Sequence, residues 1–488
     1  MGHETASEYD DSVSKPMGNP WRRAIALVGH TSSVWLLAAQ GVYMVVGYLL
    51  TIGLARILSV SDFGIYAITL TIVTWANVVI ATGVPQVVSR LLVEHRDSPG
   101  AVWAAAVRLQ IGLVLGLTVL VVACSPLIAS LLGAPGLAVP IVLGALAIPG
   151  VGAIALQAGR LSASFHFRRQ SIAQVVWNIT RTASALVAAT VGGVNAALAA
   201  IAFSAVPGLI AGGRSRIART EGDSWRRLLI ASVAASLAGL LLVVTGSYDL
   251  LLLAAEHPSD AGVYAAAQNL ARVPLLLCIP LAGAMLPHAA RGVAALVDVR
   301  FLLEAGALLA ACTTAVIMGA PAAMISLIFG PRFAATGAAP ETVLVGALAL
   351  LGLTTLLVAV MIGRDVRVEP VIALMVALCI GLISAVLLIP VHGMTGAATS
   401  TAIASGTALA ICVVLVLRLD SAVLWPVAYL RIALVAACLF GAARLLDGSA
   451  ILVVASALLI VGILVPILRL PPFRRQSAVP EEVVLPHG

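Results

Sequence analysis

Ser61-Asp62-Phe63-Gly64-Ile65-Tyr66-Ala67 and Ser259-Asp260-Ala261-Gly262-Val263-Tyr264-Ala265 are two versions of one phrase, S-D-x-G-x-Y-A, set 198 residues apart. Each follows a long apolar run and opens another. Ser and Asp suit the first residues of a helix, where a side-chain oxygen can accept from a free backbone N–H. Glycine beside them permits a tight turn between helices. Gly83-Val84-Pro85, leading to Arg90, has a loose echo in Gly283 to Pro287, leading to Arg291. Self-similarity at a fixed offset marks a duplicated architecture.

Composition says what is duplicated. The chain has 488 residues, 61% of them hydrophobic and 10% charged, with a mean hydropathy of +1.10. A bilayer-crossing helix needs about 20 mostly apolar residues, and runs of that length recur throughout. The ten-residue alternation of a membrane β-barrel is missing. The sequence therefore predicts an all-α polytopic membrane protein with about 14 transmembrane helices. The spans fall near 33–55, 63–88, 101–123, 137–159, 170–191, 195–213, 228–254, 261–289, 301–329, 340–362, 370–389, 394–417, 427–446 and 450–468.

Charge tests that count. With the N-terminus in the cytoplasm, the inner segments carry 21 of the 28 Lys and Arg residues. The outer loops hold only Arg56, Arg332 and Arg444, and four arginines lie within spans: Arg108, Arg181, Arg272 and Arg431. This bias places both termini in the cytoplasm of a plasma-membrane protein. The net charge of +7 is thus a topological signal. It is spread over short loops without stacking aromatics, so nucleic acid is not an expected partner. Six spans separate the two phrases, so the halves share one orientation and are related by an axis along the membrane normal. The expected organisation is an N-terminal tail (1–32), a six-helix lobe (33–213), a basic linker (214–227), a second six-helix lobe (228–417), two further helices (418–468) and a C-terminal tail (469–488).

Several chemistries are excluded. Lys15 is the one lysine, so there is no Walker-A lysine and no Schiff base within the membrane. The six cysteines form no CxxC pair and the eight histidines no H-E-x-x-H. No metal site, cofactor or catalytic set is expected.

Ionisable residues at membrane depth are functional candidates by default. Arg181 lies twelve residues past Arg169, and Arg272 twelve residues past Asp260. At 1.5 Å per residue, each is about 18 Å deep, near the midplane, one per half. Neither has an obvious acidic partner there. Gln174, Asn178 and Arg181 share a helix face, as do Gln268 and Arg272; Asn269 lies alongside, and Arg108 is a third basic candidate nearer the inner surface. An arginine fork suits a phosphate because it can bind two oxygens at once. Asp249, in the outer part of span 7, is read either as a structural partner for an arginine or as an ion-coupling carboxylate. Span 8 carries Pro274, Pro280 and Pro287 and is expected to kink.

The run from Ala55 to Ala67 (A-R-I-L-S-V-S-D-F-G-I-Y-A), with Gly83-Val84-Pro85-Gln86-Val87-Val88-Ser89-Arg90, resembles the opening of Wzx-type polysaccharide flippases. Asp260 to Arg272 (D-A-G-V-Y-A-A-A-Q-N-L-A-R) is similar to their second-half opening. These flippases belong with multidrug-and-toxin-extrusion-like exporters. The resemblance implies two six-helix lobes around a cavity and an undecaprenyl-diphosphate-linked oligosaccharide as substrate. It also implies basic cavity residues for the anionic headgroup, a role that the midplane arginines match by position. Membrane lipid, H⁺ or Na⁺ and other glycan-assembly membrane proteins are the partners it suggests. Three alternatives stay open: a cation-coupled drug antiporter of the same fold, a membrane glycosyltransferase or polymerase, and a non-transporting scaffold for glycan assembly. The antiporter would want a carboxylate in the first-half cavity, and the polymerase a long outer loop; neither is found in the sequence.

Overall fold

The computed structural model describes residues 31–445 apart from 86, 89–98, 165, 214–224, 291–295, 367, 421–422 and 424–425. The expected N-terminal tail, most of the 214–227 linker, span 14 and the C-terminal tail lie outside the described residues. The first half builds α1 (Thr31–Ile57), α2 (Val60–Thr82), α3 (Pro99–Leu131), α4 (Ala138–Ala145), α5 (Ile148–Ala163), α6 (Phe167–Phe203) and α7 (Ala205–Gly212). The second half builds α8 (Trp225–Thr245), α9 (Tyr248–Glu256), α10 (Ala261–Ala271), α11 (Val273–Ala289), α12 (Leu296–Gly319), α13 (Pro321–Phe329), α14 (Pro331–Gly363) and α15 (Val368–Leu419), followed by α16 (Pro426–Leu445). No strand occurs among the described residues.

Eight of these helices are long and apolar enough to cross a bilayer, or ten when each of two bent pairs is counted as one span. Two of the eight cross twice. Straight, the 52 residues of α15 would measure about 78 Å, more than double the hydrocarbon core. Gly393, at φ 54°, folds it back on itself. A Cβ at Gly381 would lie 2.7 Å from that of Ala404, 23 positions further along the same helix. Gly193 does the same for α6, at φ 61°, so that Gly208 of α7 approaches Trp177. Both turns fall between expected spans, and a glycine is what a positive φ requires. Expected spans 1–12 thus each have a helical counterpart, and α16 covers most of span 13.

The repeated phrase joins the halves. α2 and α10 pack against each other where their glycines meet: a Cβ on Gly64 would lie 2.9 Å from the Gly262 nitrogen, and one on Gly262 would overlap the Val60 carbonyl. Helix capping differs from expectation. Ser59, two residues before the phrase, caps α2 by accepting from the Asp62 N–H at 3.0 Å and donating to the Asp62 carboxylate at 2.8 Å. The phrase therefore lies inside the first turn, where Asp62 complements the positive end of the helix dipole. Asp260 precedes α10 but makes no side-chain cap bond.

At the same end of the bundle, two of the arginines assigned to outer loops clasp the opposite half. Arg56 donates to the Leu327 and Ile328 carbonyls at 2.7 and 3.2 Å. Arg332 donates to the Leu58 carbonyl at 2.8 Å and to that of Ala55. Each guanidinium meets the carbonyl end of a helix from the other half, the end that favours a cation. Phe63, Phe329 and Phe333 pack beneath them, the Phe63 and Phe333 rings 5.7 Å apart. Deeper in the bundle, Trp75 donates to Ser247 at 2.9 Å and Ser236 to the Val79 carbonyl at 3.1 Å. The halves are closed on each other along much of α2.

Candidate functional site

The second half breaks two of its helices at adjacent places. α8 and α9 meet at 44°, and α10 and α11 at 43°. The second break is local chemistry: Pro274 cannot donate to the Leu270 carbonyl, and its ring crowds that turn. The expected kink in span 8 therefore falls at Arg272. Each break exposes a helix end, and each end carries the charge that suits it. Asp249 is in the first turn of α9 and accepts from the Leu250 N–H at 2.9 Å. Arg272 terminates α10, at the end that favours cations.

Gln268 links the two charges. Its amide nitrogen donates to Asp249 Oδ1 at 2.7 Å, and its oxygen accepts from Arg272 at 2.9 Å. Tyr264 and Thr401 donate to Asp249 Oδ2 at 2.5 and 2.8 Å. Four donors thus fill the four acceptor positions of a carboxylate whose residue is fully buried. Among the described residues no carboxylate contacts Arg272 directly. Asp249 serves it through an amide rather than by direct contact, because the carboxylate is already committed to a helix end and two hydroxyls. Asn269, on the next position, donates to the Ala265 carbonyl at 2.8 Å, while its own carbonyl accepts from Tyr48 of the first half at 3.1 Å.

The first half arranges its arginine differently. Arg181 sits on α6 with its guanidinium 5.7 Å from the centre of the Trp177 ring. No hydrogen bond or carboxylate reaches that guanidinium among the described residues, and its Nε is buried without a partner. It borders a cavity of about 40 Å³ enclosed by α2, α4, α5, α6 and α7, with Thr69, Asn77 and Ser204 in the wall. Asn178 donates back to the Gln174 carbonyl at 2.8 Å and leaves its own oxygen unpartnered. Neither amide lines the Arg181 cavity. Arg108 lies elsewhere. Exposed on α3, it heads an open apolar groove past Gly112, Gly116 and Leu120. Arg181 and Arg272 thus stand in different surroundings: one beside a hollow, the other inside a hydrogen-bonded chain.

Sequence reasoning missed Glu341. It is fully buried on α14, and neither carboxylate oxygen has a partner among the described residues. Its field and that of Arg272 both act on Tyr48. Glu341 stands next to Pro340 at the start of the expected span 340–362 and is not one of the residues singled out at membrane depth. The packing of α13 and α14 puts it inside. Among the described residues no group of three His, Cys, Asp or Glu side chains could hold a metal ion.

Comparison with known proteins places this architecture. Residues 31–293, more than half of the chain, match the profile of a family described as polysaccharide biosynthesis protein. No curated protein matches the chain. Among solved structures, the lipid II flippase MurJ in an inward closed conformation superposes with a TM-score of 0.74 at 13% identity, over 89% of this chain and 98% of that one. An inward-facing multidrug resistance MATE transporter of the MOP superfamily gives 0.64 at 14% identity, over 80% and 99%. A MOP superfamily transporter from Pyrococcus furiosus, described as having a binding pocket of reverse polarity, gives 0.59 at 16% identity, over 84% and 97%. At such identities the likeness is one of fold: a multi-pass, all-helical architecture similar to that of these proteins. With its profile match running from α1 through the bent helices to residue 293, the chain belongs to the polysaccharide biosynthesis protein family.

Proposed function

We propose that the protein is a flippase that moves an undecaprenyl-diphosphate-linked oligosaccharide from the cytoplasmic to the outer leaflet of the plasma membrane by alternating access, without catalysing a covalent reaction. The observation that carries this reading is the Arg181 guanidinium, unneutralised beside a hollow in a half whose one described carboxylate, Asp62, is half-buried at a distant helix start and bonded to Ser59. That polarity suits an anionic headgroup and opposes a cationic drug. Family membership and the MurJ-like fold support the same substrate class.

In this reading both termini are cytoplasmic, so the end that carries Ser61, Ser259, Arg56 and Arg332 faces outward. The lobes (33–213 and 228–417) rock about the α2–α10 contact, and the helices beyond 418 flank the path. A cavity of about 40 Å³ holds no more than a few waters, so a diphosphate reaches Arg181 only when the halves part. Arg181 and Arg272 then hold the diphosphate, with Arg108 at the cytoplasmic side, and Gln174, Asn178, Gln268 and Asn269 face the sugars. The prenyl chain stays in membrane lipid. Coupling to H⁺ or Na⁺, if the cycle uses either, falls to Asp249 or Glu341. Other glycan-assembly membrane proteins would supply and consume the substrate.

The test is complementation of a flippase-deficient strain. Arg181→Ala with Arg272→Ala is expected to lower surface glycan about tenfold or more, the loss of charge-assisted bonds to a phosphate. Undiminished glycan would refute the assignment. Movement of labelled lipid-linked glycan in proteoliposomes separates transport from a scaffold role.

A further inference from the structure

The first-half hollow has a wall chemistry that the flippase reading does not use. Thr69 is fully buried on α2 and its hydroxyl has no partner. A membrane-helix threonine ordinarily donates to a carbonyl three or four residues back. Thr82, Thr118, Thr354 and Thr355 all do so in this protein. Thr69 instead lines the cavity, as does Asn77, whose side-chain oxygen is also unpartnered. Terminal amide orientation is interchangeable at such a position, so Asn77 can equally present its two N–H donors. Arg181 completes the wall with a cation that no carboxylate balances among the described residues. Thr69 and Arg181 are therefore two donors on one small space, which Asn77 joins when its amide is turned; Ser204, whose hydroxyl donates to the Ile201 carbonyl, and apolar side chains such as Leu70, Val73 and Leu198 complete the wall. A partly buried charge whose Nε is sealed from solvent favours a counter-charge or water beside it.

We infer that this cavity is a binding site for one small inorganic anion of the halide class, held by Arg181, Thr69 and Asn77 in the closed state. Size selects the ligand. About 40 Å³ exceeds the minimum for one water severalfold but is too confined for a diphosphate. The site is lined by first-half residues alone. It would neutralise Arg181 whenever the substrate is absent, and its ligand would have to leave before Arg181 could engage a headgroup. The inference does not depend on what the protein transports.

The experiment is thermal unfolding of the purified full-length protein in detergent at constant ionic strength, titrating sodium chloride or bromide against gluconate, with inorganic pyrophosphate as a separate arm. Chloride and bromide should raise the midpoint saturably, and gluconate, too large for the cavity, should not. Arg181→Gln should abolish the rise. Thr69→Val, a near-isosteric change, should weaken half-saturation about tenfold, as for a lost bond to a charged group. Because either variant can misfold, bromide quenching of the wild-type protein supplies a second readout. A saturable quenched component should disappear in Trp177→Phe. A rise that is equal in gluconate, or unchanged in Arg181→Gln, overturns the inference. So does stabilisation by pyrophosphate without any by chloride; that result would leave the flippase reading standing and assign the cavity to the headgroup.

Discussion

Arg181 and Arg272, which the sequence places at comparable depths, are treated in opposite ways by the two halves of the chain. In the second half the cation ends a broken helix, is bonded to Gln268 and through it reaches Asp249, whose oxygens are fully used. In the first half the cation rises from an unbroken stretch of α6 and borders empty space. Subtracting the 198-residue offset shows where the difference was written. Asp249 corresponds to Thr51, Gln268 to Leu70 and Arg272 to Thr74. The first half lacks the whole constellation and supplies its arginine from another helix. The contact phrase is shared by the two halves, while the polar groups around the two arginines differ: Arg272 belongs to a hydrogen-bonded network, and Arg181 has no such partner among the described residues.

The largest effect that could break this contrast is at Asp249. Replacing it with Leu leaves the Tyr264 hydroxyl and the Gln268 amide without an acceptor and the Thr401 hydroxyl with only the Ala397 carbonyl at 3.4 Å. Each buried orphan costs about 1–3 kcal/mol, so a loss on the order of 4 kcal/mol is expected, read as a sharply lower unfolding midpoint in detergent. An unchanged midpoint would mean that the network contributes nothing to the second half. Next is the shared phrase. Gly262→Ala drives a methyl into the Val60 carbonyl, which is backbone and cannot rotate away. Overpacking of this kind costs about 1–3 kcal/mol. Cross-linking of cysteines placed at positions 61 and 259 should fall in the variant if α2 and α10 separate. Efficient cross-linking with full stability would show that the contact is not fixed. The smallest effect sharpens the comparison most. Arg272→Ala strips a donor from Gln268 and should destabilise by about 1 kcal/mol. Arg181→Ala removes a half-buried cation that no carboxylate offsets among the described residues and should leave stability equal or raised. If both variants lose stability alike in chloride-free gluconate, the asymmetry drawn here between the two arginines is wrong.

Much of this was legible in the chain itself. Hydropathy gave the spans, because a helix in lipid must be both long and apolar. The two seven-residue phrases marked the helices α2 and α10 that meet at Gly64 and Gly262. Periodicity put Gln268 and Arg272 on one face because residues four apart are neighbours on any helix. The partners of those residues were not legible. Asp249 and Thr401 are 152 positions apart, and only the stacking of α9, α10 and the returning leg of α15 brings them together. Glu341 was hidden for the same reason: burial is a property of what packs around a residue. Arg56 and Arg332 read as loop charges until the closed halves put helix carbonyls in front of them. Local periodicity and length are properties of the chain, whereas a hydrogen-bond partner, a hollow or a buried charge exists only once helices distant in sequence have packed.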